Sequence, residues 1–142
     1  MKIEQIDDIQ VMMSWRREVL REVFGELPSE KILEENRHYF ATNDYVACVA
    51  VTSEGDPAGC GAFCLQREMP SPDNPNGRCA YLMNIYVRPR FRNQGVGREI
   101  VSWLKDEAKK RNCKKIYLET TPQGRKLYEE CGFVDLNNMM IL

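Results

Sequence analysis

The chain has 142 residues, 43% of them hydrophobic and 29% charged, with a formal net charge of -1. These values are typical of one globular domain with a single core, covering residues 1–142. The near-neutral charge argues against a general nucleic-acid-binding protein. No apolar run approaches the ~20 residues of a membrane span, and the N-terminus lacks the apolar stretch of a signal peptide. We expect a cytoplasmic protein that neither spans a membrane nor binds nucleic acid.

The N-terminal half is predicted to contain three strands and two helices. A strand at 2–6 leads into a helix that ends near residue 24, with Asp7 as the predicted cap and an apolar stripe at helical spacing. A second helix, capped by Ser29, ends near residue 41. Two strands follow, at 45–52 and 58–67, joined by a turn.

The C-terminal half is predicted to begin with a strand, a loop and a helix. After a proline-rich loop, an apolar strand at 78–87 leads through an arginine-rich segment into a helix at 95–111. A strand at 115–120 follows, and Thr121-Pro122 begins a helix that ends near residue 131. Two terminal strands are predicted at 133–135 and 139–142. The order β-α-α-β-β-β-α-β-α-β(-β) indicates a mixed α/β domain.

Six cysteines and one histidine occur without a metal-binding pattern. No two cysteines form a CxxC pair, and His38 has no partner at metal-ligand spacing. Four of the cysteines lie in apolar, β-prone runs, where a free thiol behaves as a small hydrophobic side chain. We predict reduced structural cysteines, a surface histidine and no bound metal.

The segment between the central strand and its helix concentrates positive charge. Residues 74–98 include no Asp or Glu but five arginines: Arg78, Arg88, Arg90, Arg92 and Arg98. The helix begins at Gly95-Val96-Gly97, where backbone N–H groups lack intrahelical partners and the helix dipole is positive. Gly95 and Gly97 leave room for an anion, and Gln94 is not a favoured capping residue. We interpret this as a phosphate site; a tight junction beside solvated arginines is the alternative.

Two other phosphate-binding motifs fit the segment less well. A P-loop requires GxxxxGK[ST], which the chain lacks. A Rossmann turn would match Gly95 and Gly97, with Glu119 at about the acidic-residue distance. However, Ile100 occupies the third glycine position, and residues 88–94 separate the strand from the first glycine. We therefore do not favour a dinucleotide site.

Three motifs in this half of the chain resemble those of a known family. Arg92-Asn93-Gln94-Gly95-Val96-Gly97 fits the Arg/Gln-x-x-Gly-x-Gly/Ala signature of the GNAT superfamily of acyl-CoA-dependent N-acetyltransferases. Ile85-Tyr86-Val87-Arg88-Pro89 is similar to that family's strand 4 and its V-x-P step. Leu127-Tyr128-Glu129-Glu130-Cys131-Gly132-Phe133 is similar to its L-Y-x-x-x-G-F helix end. The resemblance implies a GNAT fold, with a mostly antiparallel twisted sheet of six to seven strands and four flanking helices.

The resemblance also implies transfer of an acetyl group from acetyl-CoA directly to a primary amine in a ternary complex. The central strand would separate from its neighbour, so that Ile85, Tyr86 and Val87 contact the pantetheine arm and a backbone N–H polarises the thioester carbonyl. Tyr128 would protonate the CoA thiolate. Thr121 is a further expected contact, although many relatives have asparagine there. The diphosphate would be held by Asn93, Gln94, Gly95, Val96, Gly97 and Arg98, and Arg92 is a further expected cofactor contact.

The general base stays open at this point. Some relatives place a glutamate on strand 4, but this strand offers only Asn84, which cannot accept a proton. Glu119, Glu68 or a chain of water molecules are the candidates.

The acceptor and the assembly are also open. The resemblance implies a small-molecule or peptide amine and leaves a homodimer possible. The first two helices border the acceptor site in this family, so three arginines of the first helix could meet an acidic acceptor, although a solvated face is the simpler interpretation: Arg16, Arg17 and Arg21. A CoA-binding sensor or partner-docking module without turnover is the alternative function.

Overall fold

The computed structural model describes residues 1–42 and 44–142 of the chain. Within these residues the strands are β1 (Lys2–Ile6), β2 (Tyr45–Val51), β3 (Pro57–Arg67), β4 (Arg78–Val87) and β5 (Lys115–Leu118). The helices are α1 (Ile9–Phe24), α2 (Glu30–Thr42), α3 (Val96–Lys110) and α4 (Arg125–Glu130), and a 3-10 turn (Pro89–Phe91) precedes α3. The predicted order of elements is confirmed as far as α4.

The strands form one sheet in the order β1-β2-β3-β4-β5. Neighbouring strands from β1 to β4 are antiparallel, whereas β5 is parallel to β4. The parallel pair follows from the chain path, because α3 carries the chain back to the same end of the sheet before β5 begins. This mixed, mostly antiparallel sheet confirms the predicted fold class.

The end of the chain differs from the prediction. Residues 133–135 and 139–142 are not strands, so the described sheet has five strands rather than six or seven. Phe133 N instead donates a 2.9 Å hydrogen bond to Tyr128 O, which closes the end of α4. Val134 and Met140 beyond it are 89% and 99% exposed. An apolar run forms a strand only where another strand pairs with it, and no strand of the described residues pairs with this one.

Two predicted helix starts are also wrong. Asp8 rather than Asp7 caps α1, because Asp8 Oδ1 accepts a 2.7 Å hydrogen bond from Gln10 N. The last helix begins at Arg125 and not at Thr121-Pro122. Thr121 Oγ1 accepts a 3.3 Å hydrogen bond from Gly124 N, so residues 121–124 form a turn before α4. An aspartate therefore caps α1 one residue later than predicted, whereas the N-cap of α4 is Gly124, which has no side-chain cap.

α3 packs very closely against the sheet. A β-carbon on Gly61 of β3 would lie 2.5 Å from Ile100 Cγ2 and 3.0 Å from Leu104 Cδ1. Both α3 side chains have 0% exposure. Glycine is therefore needed in β3 to let the helix approach, and this packing fixes the start of α3 beside the end of β4.

All six cysteines are free, and five of them are buried, as predicted. His38 is exposed. In the described part of the chain, no helix has both the length and the apolar character needed to cross a membrane.

Candidate functional site

A cleft of about 940 Å³ lies between β4, the start of α3 and the segment from the end of β5 to α4, with α1 along one side. The structure brings the predicted site residues to this cleft with the exception of Gln94. Those lining it are Ile85, Tyr86, Val87, Arg92, Asn93, Gly95, Val96, Gly97, Arg98, Thr121 and Tyr128. The site residues therefore come from four separate segments of the chain that meet at one place.

β4 loses a strand partner where it enters the cleft. Its pairing with β5 ends at Leu82, opposite Leu118. Shortly afterwards its register against β3 shifts, and Asn84 has a φ of 57°, which is typical of a β-bulge. Beyond Leu82, the β5 side of β4 has no strand partner among the described residues. Such a free edge can pair with an extended ligand, in agreement with the expected separation of the strands.

The N-terminus of α3 is open to the cleft. Gly95 is its N-cap, with a φ of 83° that other residues rarely adopt, and no side chain of the described residues caps the helix. A β-carbon on Gly95 would meet nothing within 4 Å. Because no described side chain accepts from the first-turn amides, these donors and the helix dipole can bind an anion.

Gly97 serves a different purpose from Gly95. A β-carbon on Gly97 would lie 3.1 Å from Leu127 Cδ2 and 3.8 Å from Val87 Cγ2. The glycine therefore allows α4 to pack against the first turn of α3 and the end of β4. This contact brings Tyr128, the neighbour of Leu127, to the same cleft.

The arginine-rich segment is not free of carboxylates in three dimensions. Its arginines reach acids on α1 and α4: Arg88 to Glu18 (2.8 Å), Arg92 to Glu22 (3.3 Å) and Arg98 to Glu130 (2.6 Å). The positive field is smaller than the sequence suggested, because these acids offset part of the arginine charge. They lie 32 to 70 positions away along the chain, so the segment alone did not reveal them. Arg90, which lies over the Phe91 ring at 4.6 Å, has no ion pair among the described residues.

The side chains of Gln94 and Arg78, both noted in the sequence, do not line the cleft. Gln94 Nε2 donates a 3.0 Å hydrogen bond to Arg90 O, so its side chain folds back onto the loop. Arg78 Nε donates to Arg111 O at 2.8 Å, at the opposite end of β4 from the cleft. Any role of residue 94 in anion binding would therefore use its backbone.

Tyr128 is a half-buried phenol at the cleft. Its ring packs edge-on against Phe133, with 6.0 Å between centroids, and beside Gly124. Desolvation raises the pKa of the Tyr128 phenol, and the nearby Cys131 raises it further. Its hydroxyl makes no hydrogen bond to another described residue. The phenol is therefore protonated near neutral pH and can donate to a ligand.

The two carboxylates considered as bases have different surroundings. Glu68 does not line the cleft; it accepts hydrogen bonds from Lys115 Nζ (2.9 Å) and Asn74 Nδ2 (3.0 Å). These bonds hold the pKa of the Glu68 carboxyl below its usual value, which makes it a poor proton acceptor. Glu119 does line the cleft and is exposed. The geometry favours Glu119 over Glu68.

Arg16 on α1 lines the cleft, whereas the sequence favoured a solvated face for it over contact with an acidic acceptor. It is half-buried, its Nε donates to Asn36 Oδ1 (2.8 Å) and its Nη1 donates to Asn84 Oδ1 (2.9 Å). A signal was present in the sequence, because Arg16 follows Met12 by four residues and so lies beside the buried stripe of the helix. Desolvation lowers the pKa of its guanidinium.

Comparison with known proteins agrees with this architecture. The family model described as "Acetyltransferase (GNAT) family" matches residues 9–133. The chain belongs to the GNAT family of acetyltransferases. This GNAT chain resembles the glucosamine 6-phosphate N-acetyltransferase of Arabidopsis thaliana, with 27% identity over 78% of this chain and 73% of that protein. It resembles the thialysine N-epsilon-acetyltransferase of Sus scrofa with 27% identity, over 75% of this chain and 76% of that protein.

A solved GNAT structure matches nearly the whole chain. The crystal structure of a predicted acetyltransferase with acetyl-CoA from Clostridium acetobutylicum superimposes with a TM-score of 0.85 and 28% identity. The match covers 99% of this GNAT chain and 94% of the other. The fold around the cleft is therefore one that also occurs in a protein solved with acetyl-CoA.

Proposed function

We propose that this chain transfers an acetyl group from acetyl-CoA directly to a primary amine, with both substrates bound at once. The observation that carries the proposal is the uncapped N-terminus of α3, at Gly95, beside the unpartnered edge of β4. An anion-binding helix start and a free strand edge together suit a ligand that has a diphosphate at one end and an extended amide arm at the other.

The diphosphate lies on the backbone amides of residues 94–98 in this proposal. Three glycine-turn features support this position: the positive φ of Gly95, the open space around it and the absence of a capping side chain. Arg92 and Arg98 flank the turn, where their guanidinium groups can add charge once they leave or share Glu22 and Glu130. Thr121, just after β5, also lines the cleft.

The pantetheine arm pairs with the free edge of β4 at residues 85–87. A backbone N–H of this segment donates to the thioester carbonyl oxygen and stabilises the negative charge that develops on it. The bulge at Asn84 supports this role, since it turns the strand away from regular pairing where the amide is needed.

Proton transfers complete the proposed reaction. The amine nitrogen attacks the thioester carbonyl carbon, a C–N bond forms and the C–S bond breaks. The departing thiolate takes the proton of the Tyr128 hydroxyl, whose raised pKa keeps it protonated beforehand. The excess proton of the new ammonium group passes to Glu119, which lines the cleft, or to water.

The acceptor proposed is a small-molecule amine. The named relatives act on glucosamine 6-phosphate and on thialysine, both of which are small primary amines. A CoA-binding module without turnover is the alternative function, because Asn84 offers no proton acceptor on β4.

Thiol release from acetyl-CoA separates the two functions. The purified chain is incubated with acetyl-CoA and a panel of primary amines, and free CoA thiol and N-acetylated product are both measured. Amine-dependent thiol release with a matching acetylated product is expected. Tight CoA binding without amine-dependent release would contradict the acetyltransferase function and favour the binding module.

A further inference from the structure

Arg16 projects from α1 to the cleft, where two neutral amide side chains hold it in place. Its Nε donates to Asn36 Oδ1 on α2 and its Nη1 donates to Asn84 Oδ1 at the β4 bulge, at 2.8 and 2.9 Å. Both Arg16 and Asn84 line the cleft. The guanidinium is thus oriented from two sides by elements that are far apart in the sequence.

The surroundings of Arg16 differ from those of the other cleft arginines. Arg92 and Arg98 each contact a carboxylate within 4 Å. Arg16 has no carboxylate within that distance among the described residues, and Nη2 makes no hydrogen bond to them. A half-buried charge without a counter-ion is unfavourable unless a partner supplies the opposite charge. The cleft is therefore lined by an oriented guanidinium group whose Nη2 can donate to a ligand.

The Arg16 guanidinium lies apart from the proposed diphosphate site. Asn84, its partner, directly precedes residues 85–87, the segment proposed to hold the thioester. Val19 and Val23 continue the same face of α1 along the cleft, and the uncapped turn at Gly95 lies at the start of α3. A ligand group at Arg16 would therefore lie beside the reacting segment on its α1 side, and in this proposal the acceptor amine binds there.

We propose that Arg16 binds an anionic group, a carboxylate or a phosphate, on the amine acceptor. This inference rests on the proposed function and names the class of its substrate: small primary amines that also carry a negative charge. The planar guanidinium can bind either anion through paired N–H groups. Asn36 and Asn84 orient the guanidinium without neutralising it, so the charge is kept for the substrate.

The test compares pairs of amines that differ in one charge. One pair is an α-amino acid with a side-chain amine and its carboxamide; the other is an amino sugar phosphate and the unphosphorylated amino sugar. We expect wild-type protein to have a higher kcat/KM for the charged member of at least one pair. The two pairs distinguish a carboxylate from a phosphate as the preferred anion.

Variants at Arg16 then test whether this side chain causes the preference. Arg16→Met should lower kcat/KM for the charged amine by about 10- to 100-fold, the usual effect of losing a hydrogen-bonded charge, while the neutral member changes at most a few-fold. Arg16→Lys, which keeps the charge, should lose less and again only for the charged member. Arg17→Met, next to it and exposed, is the matched control and should change neither.

Three results would overturn the inference, and they differ from one another. Equal loss for charged and neutral amines in both Arg16 variants would show that Arg16 only holds α1, α2 and β4 together. No charge preference in wild-type protein would show that the acceptor carries no anion at this place. No activity of wild-type protein with any amine would instead contradict the acetyltransferase function on which the inference rests.

Discussion

Arg88, directly after β4, forms a two-point ion pair with Glu18 on α1. The Nε–Oε1 and Nη2–Oε2 distances are both 2.8 Å. The third nitrogen, Nη1, donates to Pro57 O at 2.8 Å, and the guanidinium lies 4.5 Å from the Trp15 ring centroid. The Arg88 side chain therefore links α1, which borders the cleft, to the end of β4.

Removing this arginine should destabilise the protein measurably. Arg88→Met leaves the partly buried Glu18 carboxylate without its cationic partner, and a lost charged hydrogen bond of this kind costs about 1.5–3 kcal/mol. Urea denaturation should report this decrease in the free energy of unfolding. Arg37→Met, which removes a more exposed ion pair with Glu34 on α2, is the control and should cost under about 1 kcal/mol. Equal effects of the two changes would contradict the role given to Arg88.

The same ion pair predicts a pH dependence of stability. The hydrogen bonds from Arg88 hold the pKa of the Glu18 carboxyl below its usual value. The folded protein therefore binds this proton more weakly than the unfolded chain, so the stabilisation is present above the ordinary glutamate pKa of ~4.3 and is lost as pH falls through the lower folded value. Glu18→Gln should be less stable than wild type near pH 7, with the difference shrinking in acid. A difference that is constant with pH would contradict this.

The parts of the site that could be predicted from sequence depend on neighbouring residues. The open helix start needs only Gly95, whose φ is 83°, and the end of α4 needs only Gly132, whose φ is 94°. Local backbone preferences of glycine determine the start of α3 and the end of α4, and the family motifs include these glycines. The β-α-α-β-β-β-α-β-α order was predictable for the same reason, since each element carries its own periodicity.

The parts that could not be predicted depend on residues far apart in the sequence. Residues 74–98 include no acid, yet three of their arginines contact acids of α1 and α4. The partial burial of Arg16 depends on Asn84, 68 positions away. The predicted terminal strands failed because an apolar run does not by itself provide a partner strand.

A methyl group on Gly59 should damage both the fold and the cleft. The added β-carbon would lie 2.5 Å from Tyr86 O, a backbone atom of β4 that cannot move alone. We expect Gly59→Ala to cost about 1–3 kcal/mol and to weaken CoA binding by shifting β4. Gly55→Ala, in a turn where a β-carbon meets nothing within 4 Å but φ is 90°, is the control for affinity: backbone strain should lower its stability, yet it should keep CoA affinity. Wild-type stability and affinity in Gly59→Ala would contradict the packing argument.

The proposed acid predicts a separation of turnover from binding. Tyr128→Phe removes the hydroxyl but keeps the ring that packs on Phe133, so CoA affinity should stay within about twofold, while kcat should fall by about 10²-fold or more. Tyr117→Phe is the control, because the Tyr117 hydroxyl donates a hydrogen bond to Gln66 Oε1 and Tyr117 does not line the cleft. Unchanged kcat in Tyr128→Phe would remove Tyr128 from the mechanism.

The central claim is that the uncapped turn at Gly95 binds the diphosphate of CoA, and calorimetric titration of CoA tests it most directly. Gly95→Asp and Gly55→Asp place the same carboxylate at positions with φ of 83° and 90° and with open space around both. The backbone strain is therefore matched, and only the first variant adds charge at the cleft. Gly95→Asp is predicted to lose at least about tenfold in affinity, or about 1.4 kcal/mol, with Gly55→Asp unchanged. Wild-type affinity in Gly95→Asp would contradict the claim.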